Sequence, residues 1–512
     1  MSNVGTHHKS WLPASTGRDF IASLVVFLVA LPLCMGIAVA SGMPAEAGLI
    51  TGIIGGILVG LLAGSPLQVS GPAAGLAVLV FEIVQEQGVV ALGLIVLLAG
   101  AFQIGAGVLR IGHWFRAISP AVVHGMLAGI GLLIVLSQIH VLLDRSPLPS
   151  GLANLSAVPG AFIDLTPGTG DSKVAAFALG MLTIVSFLLW EKIRPQKLRL
   201  VPGALIGVVA ATLAAFFLDP DVKRVEVPAS LFAGMSLPGM GDLSRLLEPQ
   251  ILLTAFVIAF IASAETLLSA AAVDRMHDGP RTQYNKELVA QGVGNMACGL
   301  AGGLPMTGVI VRSSANVQAG AITRLSAILH GIWILAFVAL LPWLLREMPT
   351  ASLAGVLVVT GWRLVSLSHA KHLFQQYGAL PAAIWALTFV MVVLTDLLTG
   401  VLVGLALSLL ELIPHIRNLK LGMKHKDGDD DVAEVEITGA ATCVNLPKLA
   451  NQLDQIPDGG RIRLKFRDVV CLDHTCAEMI TEWVSRKERR GTSVEFDTGG
   501  DPRIGKFLHS HG

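Results

Sequence analysis

Charged residues are scarce in this chain of 512 residues, at 14% of the sequence against about 25% in soluble domains. Hydrophobic residues make up 53% of the chain, and the mean hydropathy is +0.69. So little polar surface excludes folding in water for most of the chain. The formal net charge is zero, so no overall field attracts nucleic acid, and we expect no nucleic-acid partner.

Cysteine is also scarce, and its five positions show no metal-binding spacing. We interpret these residues as reduced, structural thiols. The sequence also lacks a P-loop, an HExxH motif, a nucleophile elbow and a dinucleotide fingerprint. These absences count against an ATP-driven pump and against an enzyme. We predict no cofactor and no metal, apart from Na⁺ or H⁺ as a coupling ion.

Apolar runs dominate the rest of the sequence. An apolar helix of about 20 residues crosses a bilayer, and twelve runs come near or reach that length. Two further runs, 71–84 and 308–318, are short and begin at Gly. The twelve longer runs are 20–40, 47–64, 89–109, 120–142, 174–191, 201–218, 251–273, 288–303, 325–345, 351–365, 380–394 and 399–413. The sequence thus predicts an α-helical polytopic membrane protein with about fourteen transmembrane segments, spanning 19–418.

The basic residues predict the orientation in the membrane. With an even number of spans both termini lie on one side, and the short loops on that side carry most Lys and Arg residues, including the run 191–199. Because such loops face the cytoplasm, we expect a multi-pass protein of the plasma (inner) membrane. Both termini, including the polar segment 1–18, are then cytoplasmic.

The two short runs open with similar stretches, LQVSGP at 67–72 and LPMTGV at 304–309. Matched broken segments in two halves of a transporter point to its substrate site. Each half has about seven segments, an odd number, so the second half is inverted relative to the first. The alternative interpretation is that Gly and Pro only kink packed helices.

Helix N-termini carry unpaired amide groups and partial positive charge. Two such termini that meet at mid-membrane depth would bind an anion without a cationic side chain. Glycine lets the ligand approach the backbone, and hydroxyl groups add donors. We therefore predict substrate-binding residues at Ser70, Gly71, Thr307 and Gly308.

Ionisable residues are scarce inside the predicted spans, where a charge costs at least about 2.5 kcal/mol. Glu265 and Arg312 are the clearest, whereas Glu82, Glu86, Asp396 and Glu411 lie near segment ends. Glu265 shares a helix face with Ser269, four residues later, and this carboxylate and hydroxyl can hold Na⁺ or carry a proton. Arg312 lies one turn into the second broken segment, where it would face the anion. The alternative is a structural ion pair between Glu265 and Arg312 that locks two helices.

The composition changes near residue 419. The charged segment 419–431 is predicted to be a linker, and 432–512 a small soluble domain. Strand patterns alternate there with helix patterns, which is typical of a compact α/β module. The predicted strands are 434–437, 461–466 and 493–496, and the predicted helices are 445–455 and 475–489.

Several stretches carry a resemblance to the SulP anion transporters, the sulfate permease or solute carrier family 26 group. They are ALP at 30–32, GMP at 42–44, SPLQVSGP at 65–72, ELVAQG at 287–292, GGLP at 302–305 and ITRL at 322–325. The tail resembles the cytoplasmic STAS domain of that family. The resemblance covers nearly the whole chain.

The resemblance implies two inverted repeats of seven segments, arranged as core and gate domains, and a homodimer with an elevator-like movement of the core. It implies a substrate between the third and tenth segments. Family site positions fall on Glu265 and Ser269 and on Val309, Ile310, Val311 and Arg312. Leu33 and Ile37 depart from the family, whose members often carry Gln and Tyr there.

The predicted function is secondary active transport of a small inorganic anion, sulfate or bicarbonate, coupled to H⁺ or Na⁺ or run as an exchange. A proton-coupled dicarboxylate carrier is the nearest alternative, and a nucleobase permease has the same architecture without the tail. An anion channel and a membrane-anchored interaction protein are further alternatives. Expected partners are the anion, membrane lipid, a second copy of the chain and a cytoplasmic protein that binds the tail.

Overall fold

The computed structural model describes residues 14–112, 119–148, 150–163, 171–198, 200–226, 242–277, 279–410, 421–427, 432–442, 445–457, 459–489 and 491–497. The chain divides into two compact units. Unit 1 contains Met1–Leu109, Gln138–Pro147 and Pro159–Val358, and unit 2 contains Arg110–Ser137, Leu148–Val158 and Val359–Gly512.

The membrane part is built from helices. In chain order they are α1 (Ala14–Ala40), α2 (Ala45–Leu62), α3 (Ala77–Val108), α4 (Pro120–Leu142), α5 (Gly151–Ile163), α6 (Asp171–Ile193), α7 (Gly203–Leu218), α8 (Pro249–Arg275), α9 (Tyr284–Ala301), α10 (Ile310–Gln318), α11 (Leu325–Leu340), α12 (Pro342–Arg346), α13 (Thr350–Leu364), α14 (Leu367–Tyr377), α15 (Ala379–Leu394) and α16 (Leu397–Leu410). Two short strands, β1 (Ser70–Pro72) and β2 (Met306–Gly308), interrupt this series.

The number of predicted spans is confirmed among the described residues. Seven helices are long and apolar enough to cross a membrane, and shorter apolar helices add to them. α3 breaks at Gly88, whose φ of 84° lies outside the helical region, so its two parts serve as two spans. Fourteen segments then correspond to the fourteen runs of the sequence, and a three-residue strand stands before the third and before the tenth.

Contacts between distant loops of unit 1 agree with this count. The hydroxyl of Thr282, between α8 and α9, donates to the hydroxyl of Ser65, after α2 (2.9 Å). The amide of Ile322, after α10, donates to the carboxylate of Asp19 at the start of α1 (2.7 Å). All these positions follow an even number of spans, so they lie on the side of the N-terminus.

A second set of loop contacts joins positions that follow an odd number of spans. Lys223, after α7, forms an ion pair with Asp144, after α4 (3.4 Å). Arg224 forms a β-bridge with Pro349, before α13. No contact in these two sets joins a loop that follows an even number of spans to a loop that follows an odd number. This separation is expected only if α3 counts as two spans.

Glycine faces bring α3 and α9 together. A Cβ atom at Gly100 would lie 2.5 Å from the carbonyl oxygen of Gly292, and one at Gly292 would lie 2.6 Å from that of Gly100. Two turns away, a Cβ atom at Gly299 would lie 2.6 Å from the carbonyl oxygen of Gly93. Small residues allow such close backbone approach between membrane helices, and here it brings the polar face of α9 against β1 and β2.

The tail folds as the predicted α/β module. Its elements are β3 (Leu421–Asp427), β4 (Val432–Ala441), α17 (Leu446–Asp454), β5 (Arg461–Leu472), α18 (His474–Arg489) and β6 (Ser493–Asp497). The sheet order is β3-β4-β5-β6, with β3 antiparallel to β4 and the other pairs parallel. Trp483 is 1% exposed at its centre, and its indole N–H donates to the carbonyl of Leu453 (3.0 Å).

Several elements differ from the sequence prediction. Residues 421–427, predicted to lie in a linker, form the edge strand β3 because they pair along their whole length with β4. α5 and α14 occupy stretches predicted as loops, and α11 ends at Leu340 because Pro342 begins a new short helix. The last predicted span, 399–413, is described to Leu410, and the remaining linker residues and 498–512 lie outside the described residues.

Candidate functional site

The two broken segments meet as a two-stranded antiparallel ribbon inside unit 1. Ser70 pairs with Gly308, Gly71 with Thr307, and Pro72 with Met306. All these residues are buried. Side chains of directly opposed residues lie on the same face of such a ribbon. Gly71 and Thr307 therefore share one face, and Ser70 and Gly308 share the other.

The outer edge of β2 is held by side chains. The amide of Met306 donates to Asn295 Oδ1 (2.7 Å), and Asn295 Nδ2 donates to the carbonyl of Met306 (3.0 Å). The amide of Gly308 donates to the hydroxyl of Thr266 (3.1 Å). The buried backbone groups of this strand thus find partners on α8 and α9, as buried amide and carbonyl groups must.

The β1 side is held from the second half of the chain. The amide of Val69 donates to Ser313 Oγ (2.9 Å) and Asn316 Nδ2 donates to the carbonyl of Leu67 (3.0 Å). Gln291 Nε2 donates to Ser70 Oγ (2.6 Å). The two halves are therefore interlocked at the ribbon, and neither broken segment stands alone.

The structure corrects the position of the helix starts. Ser70 and Gly71, predicted to open a half-helix, lie in β1, and Thr307 and Gly308 lie in β2, because each strand needs the other to pair its backbone. The first helical turn after β1 is the 3₁₀ turn Ala74–Leu76. In the second segment, Val309 is the residue before α10, which begins at Ile310.

The open amides lie after the strands. The amide of Val309 donates to the carbonyl of Val69 (2.9 Å), and that of Gly308 is bound by Thr266. The next three amides, of Ile310, Val311 and Arg312, start α10 and have no acceptor among the described residues. Val309 and Ile310 are half-buried and Val311 is 36% exposed, so this helix start is not fully enclosed by the protein.

Arg312 is the one fully buried arginine among the described residues, at 0% exposed. Its Nε, Nη1 and Nη2 atoms are all buried without a hydrogen-bond partner among those residues. The guanidinium lies beside the Cys34 thiol of α1 and against Gly71, where a Cβ atom would come within 2.0 Å of Nη1. A buried charge normally has a partner, and Arg312 lacks one among the described residues.

Glu265 lies on α8, next to β2. Its carboxylate is beside the hydroxyl of Thr307, and both Glu265 Oε2 and Thr307 Oγ1 are buried without a geometrically adequate hydrogen bond among the described residues. Ser269 is buried one turn later on the same helix. These oxygen atoms are the ligands that Na⁺ or a proton would use.

The ion pair considered from the sequence is not formed. Among the described residues, Arg312 has no ionic partner and no oxygen of Glu265 is bound to it. Leu33 and Ile37, where the family often has polar residues, are both buried in α1. Charge in this region therefore rests on Arg312 and Glu265 as separate groups.

Sequence reasoning missed the residues that hold the ribbon. Glu287, Gln291 and Asn295 lie four residues apart on one face of α9, all at most 1% exposed. Glu287 accepts the amides of Gly64 and Ser65 at 2.8 Å each. Three polar residues at four-residue spacing in an apolar helix were the signal, since a membrane helix carries them only where they find partners.

Fold and site together define a polytopic membrane protein with two buried ionisable side chains, Arg312 and Glu265, beside two interrupted segments. The sulfate permease family matches residues 17–388, about three quarters of the chain, and the protein belongs to that family. The family assignment made from the motifs is thereby confirmed.

Similar proteins come from several bacteria. YvdB of Bacillus subtilis (strain 168) is 32% identical over 398 residues, which cover 76% of this chain and 72% of YvdB. The bicarbonate transporter BicA of Picosynechococcus sp. (strain ATCC 27264 / PCC 7002 / PR-6) is 28% identical over 435 residues, 81% of this chain and 73% of that protein.

Solved structures show the same fold. The transmembrane domain of a cyanobacterium bicarbonate transporter BicA matches with a TM-score of 0.65 and 25% identity, over 76% of this chain and 97% of that one. SLC26A9 matches with a TM-score of 0.68 and 16% identity, over 96% of this chain and 86% of that one.

Proposed function

We propose that this protein carries a small inorganic anion, sulfate or bicarbonate, across the plasma (inner) membrane by secondary active transport. The observation that carries the proposal is Arg312, a guanidinium buried in a membrane helix with no partner for any of its three nitrogen atoms among the described residues. A buried guanidinium without a protein partner is stabilised when a bound anion supplies the negative charge. The relationship to bicarbonate transporter BicA supports an anion of this size.

The charges available match a small oxyanion. Arg312 supplies one full positive charge, and the starts of α3 and α10 each supply about half a charge. Together they offset about two negative charges when Glu265 is neutral. The amides of Ile310 and Val311 can donate hydrogen bonds to the oxygen atoms of the anion, as helix starts do to phosphate and sulfate.

Glu265 is the proposed coupling site. An ionised Glu265 would oppose an anion at the ribbon, and a bound Na⁺ or H⁺ removes that opposition. Thr307 and Ser269 supply the additional oxygen atoms. Cation and anion therefore favour each other's binding, which is the requirement for symport; an exchanger would use the same anion site with Glu265 neutralised throughout.

An elevator-type movement suits this site. Ser70, Gly71, Glu265, Ser269 and residues 307–312 all belong to unit 1. A rigid displacement of that unit would move the anion and its coupling ion without breaking the ribbon. Domain limits of 19–418 for transport and 432–512 for the tail follow from the same proposal, with β3 now joined to the tail.

The tail is proposed to be a cytoplasmic STAS domain, and the protein a homodimer with both termini in the cytoplasm. The four-stranded sheet with two helices supports the first assignment. An even number of spans supports a tail on the same side of the membrane as the N-terminus. A cytoplasmic protein that binds the tail would regulate transport.

Uptake by proteoliposomes tests the transport proposal. Labelled sulfate, bicarbonate and fumarate are offered separately under imposed Na⁺ and pH gradients. Arg312→Gln should reduce uptake of the true substrate at least about 100-fold, since a buried charge pair contributes about 3–5 kcal/mol. Glu265→Gln should abolish its dependence on the cation gradient. The control Arg363→Gln alters an exposed arginine at the end of α13 and should leave uptake unchanged.

Three results would refute the assignment. Normal uptake by Arg312→Gln would mean that the guanidinium does not neutralise the substrate. Uptake of fumarate without sulfate or bicarbonate would identify a dicarboxylate carrier. Large unitary currents in planar bilayers would identify a channel.

A further inference from the structure

We propose that Thr266 is a positioning residue that transmits occupancy of the cation site at Glu265 to the anion-binding start of α10. The inference rests on the proposed function and adds the physical connection between its two sites. Thr266 follows Glu265 directly in α8, and its side chain touches neither ion in the proposed arrangement.

The connection is made of two buried hydrogen bonds. The Thr266 hydroxyl accepts the amide of Gly308 (3.1 Å), and its carbonyl oxygen accepts Gln68 Nε2 (2.9 Å). Thr266 is 0% exposed. Gln68 in turn fills the space where Gly308 lacks a side chain, since a Cβ atom there would lie 1.8 Å from Nε2. Thr266 thus fixes Gly308 in two ways: it binds the Gly308 amide directly, and it holds the Gln68 side chain that packs against Gly308.

A second connection fixes the other end of β2. Gln103 Nε2 donates to Ser263 Oγ (3.3 Å), and Asn295 Nδ2 donates to Gln103 Oε1 (2.7 Å). Asn295 binds both backbone groups of Met306. A single turn of α8, residues 263–266, therefore connects to Met306, Thr307 and Gly308 in succession: the first through Gln103 and Asn295, the second through Glu265, the third through Thr266.

The position of Gly308 explains why this matters for the anion. Only Val309 separates Gly308 from the open amides at 310–312. A cation bound by Glu265 draws its carboxylate and Thr307 together, and the adjacent Thr266 must follow because it is in the same helical turn. Gly308 is bound to the Thr266 hydroxyl, so the start of α10 is held in the orientation in which its amides converge on the anion.

Two substitutions separate this role from simple packing. Thr266→Val keeps the shape and removes the hydroxyl, whereas Thr266→Ser keeps the hydroxyl and removes a methyl group. The anion KM is measured in proteoliposomes at low and at saturating Na⁺ and at two pH values. The factor by which the cation lowers the anion KM should be about tenfold smaller in Thr266→Val, which corresponds to the loss of one buried hydrogen bond. Thr266→Ser should show the same factor as the wild type.

If the cation lowers the anion KM equally in the wild type and in Thr266→Val, the inference alone is overturned. A lower Vmax with an unchanged cation effect also overturns it, because that is the result of a purely structural role. If the anion KM of the wild type does not depend on Na⁺ or on pH, both the coupled function and the inference are overturned. Uptake of the anion by that wild type would still support the anion site.

A measurement on the wild type guards against misfolding of the valine variant. Hydrogen–deuterium exchange is followed in a peptide that covers β2, in the full-length protein. Addition of the coupling cation, without anion, should slow exchange at Gly308 severalfold because its bond to Thr266 is tightened. Exchange that is the same with and without cation overturns the link.

Discussion

At the scale of single residues, two glycines of the ribbon make space for polar side chains. Gly71 lies against the Arg312 guanidinium and Gly308 against the Gln68 amide. Neither residue is used for a positive φ, since both lie in extended strands. Their lack of a Cβ atom lets a charged group and an amide approach the backbone, which is one of the reasons for glycine near a ligand.

Gly71→Ala should impair anion binding more than folding. The new methyl group would lie 2.0 Å from Arg312 Nη1 and 2.9 Å from its Cζ, so the guanidinium must move away from the ribbon while the strand remains. We expect the anion KM in proteoliposomes to rise at least about tenfold, equivalent to about 1.4 kcal/mol.

Gly105→Ala is the matched control, because nothing lies within 4 Å of a Cβ atom at that position. It should leave the KM unchanged. A Gly71→Ala protein with a normal KM would show that the position of Arg312 does not affect the anion.

At the scale of elements, β1 and β2 are too short to be strands by themselves. Three-residue strands gain little from backbone pairing alone, and these two are completed by Asn295, Thr266, Ser313 and Asn316. The patterns LQVSGP and LPMTGV correctly predicted an interruption at both places. They did not predict strands, because pairing depends on the other half of the chain.

Asn295→Leu should destabilise unit 1. The substitution leaves the amide and carbonyl of Met306 buried without their partners, and each such group costs about 1–3 kcal/mol. The thermal unfolding midpoint of the protein in detergent should fall, with the free energy of unfolding lower by about 2 kcal/mol or more.

The control for this variant is Gln250→Leu, which replaces an exposed amide near the start of α8. It should unfold at the wild-type midpoint. If both variants have the unfolding midpoint of the wild type, the side-chain hydrogen bonds to Met306 do not stabilise β2.

At the scale of the whole molecule, loop contacts report on the path of the chain through the membrane. Asp144, Lys223 and Pro349 belong to one set of mutually contacting loops, and Ser65 and Thr282 to another. The two sets follow odd and even numbers of spans, respectively, so they lie on opposite sides of the membrane. The positive-inside rule then predicts that the even side faces the cytoplasm.

Cysteine labelling tests this topology. Lys192 and Lys223 are exposed and are separated in the chain by α7 alone. A membrane-impermeant maleimide should label Lys223→Cys in intact cells and Lys192→Cys only in inverted vesicles. The wild-type chain, with its own five cysteines, gives the background; Cys34, Cys298 and Cys476 are buried. Labelling of both variants from one side would contradict the count of fourteen segments.

The sequence by itself determined the class of the protein. Apolar length, the scarcity of charge and the alternation of basic loops are properties of a linear chain in a bilayer, so they predicted the spans and the side of the termini without tertiary information. The same holds for Arg312 and Glu265, whose cost in an apolar segment already indicated a function. The helices α5 and α14 were missed because, at 13 and 11 residues, they are too short to give the signal of a span.

Tertiary structure decided how the site is built. The bonds that shape it join residues far apart in the chain, Gly308 to Thr266 across 42 positions and Asn295 to Gln103 across 192. Whether a residue near a Gly or Pro begins a helix or joins a strand depends on which distant residues the folded chain brings beside it. Ser70 and Gly71 therefore became strand residues, and the open amides moved to 310–312, because only the folded chain places β2 against β1.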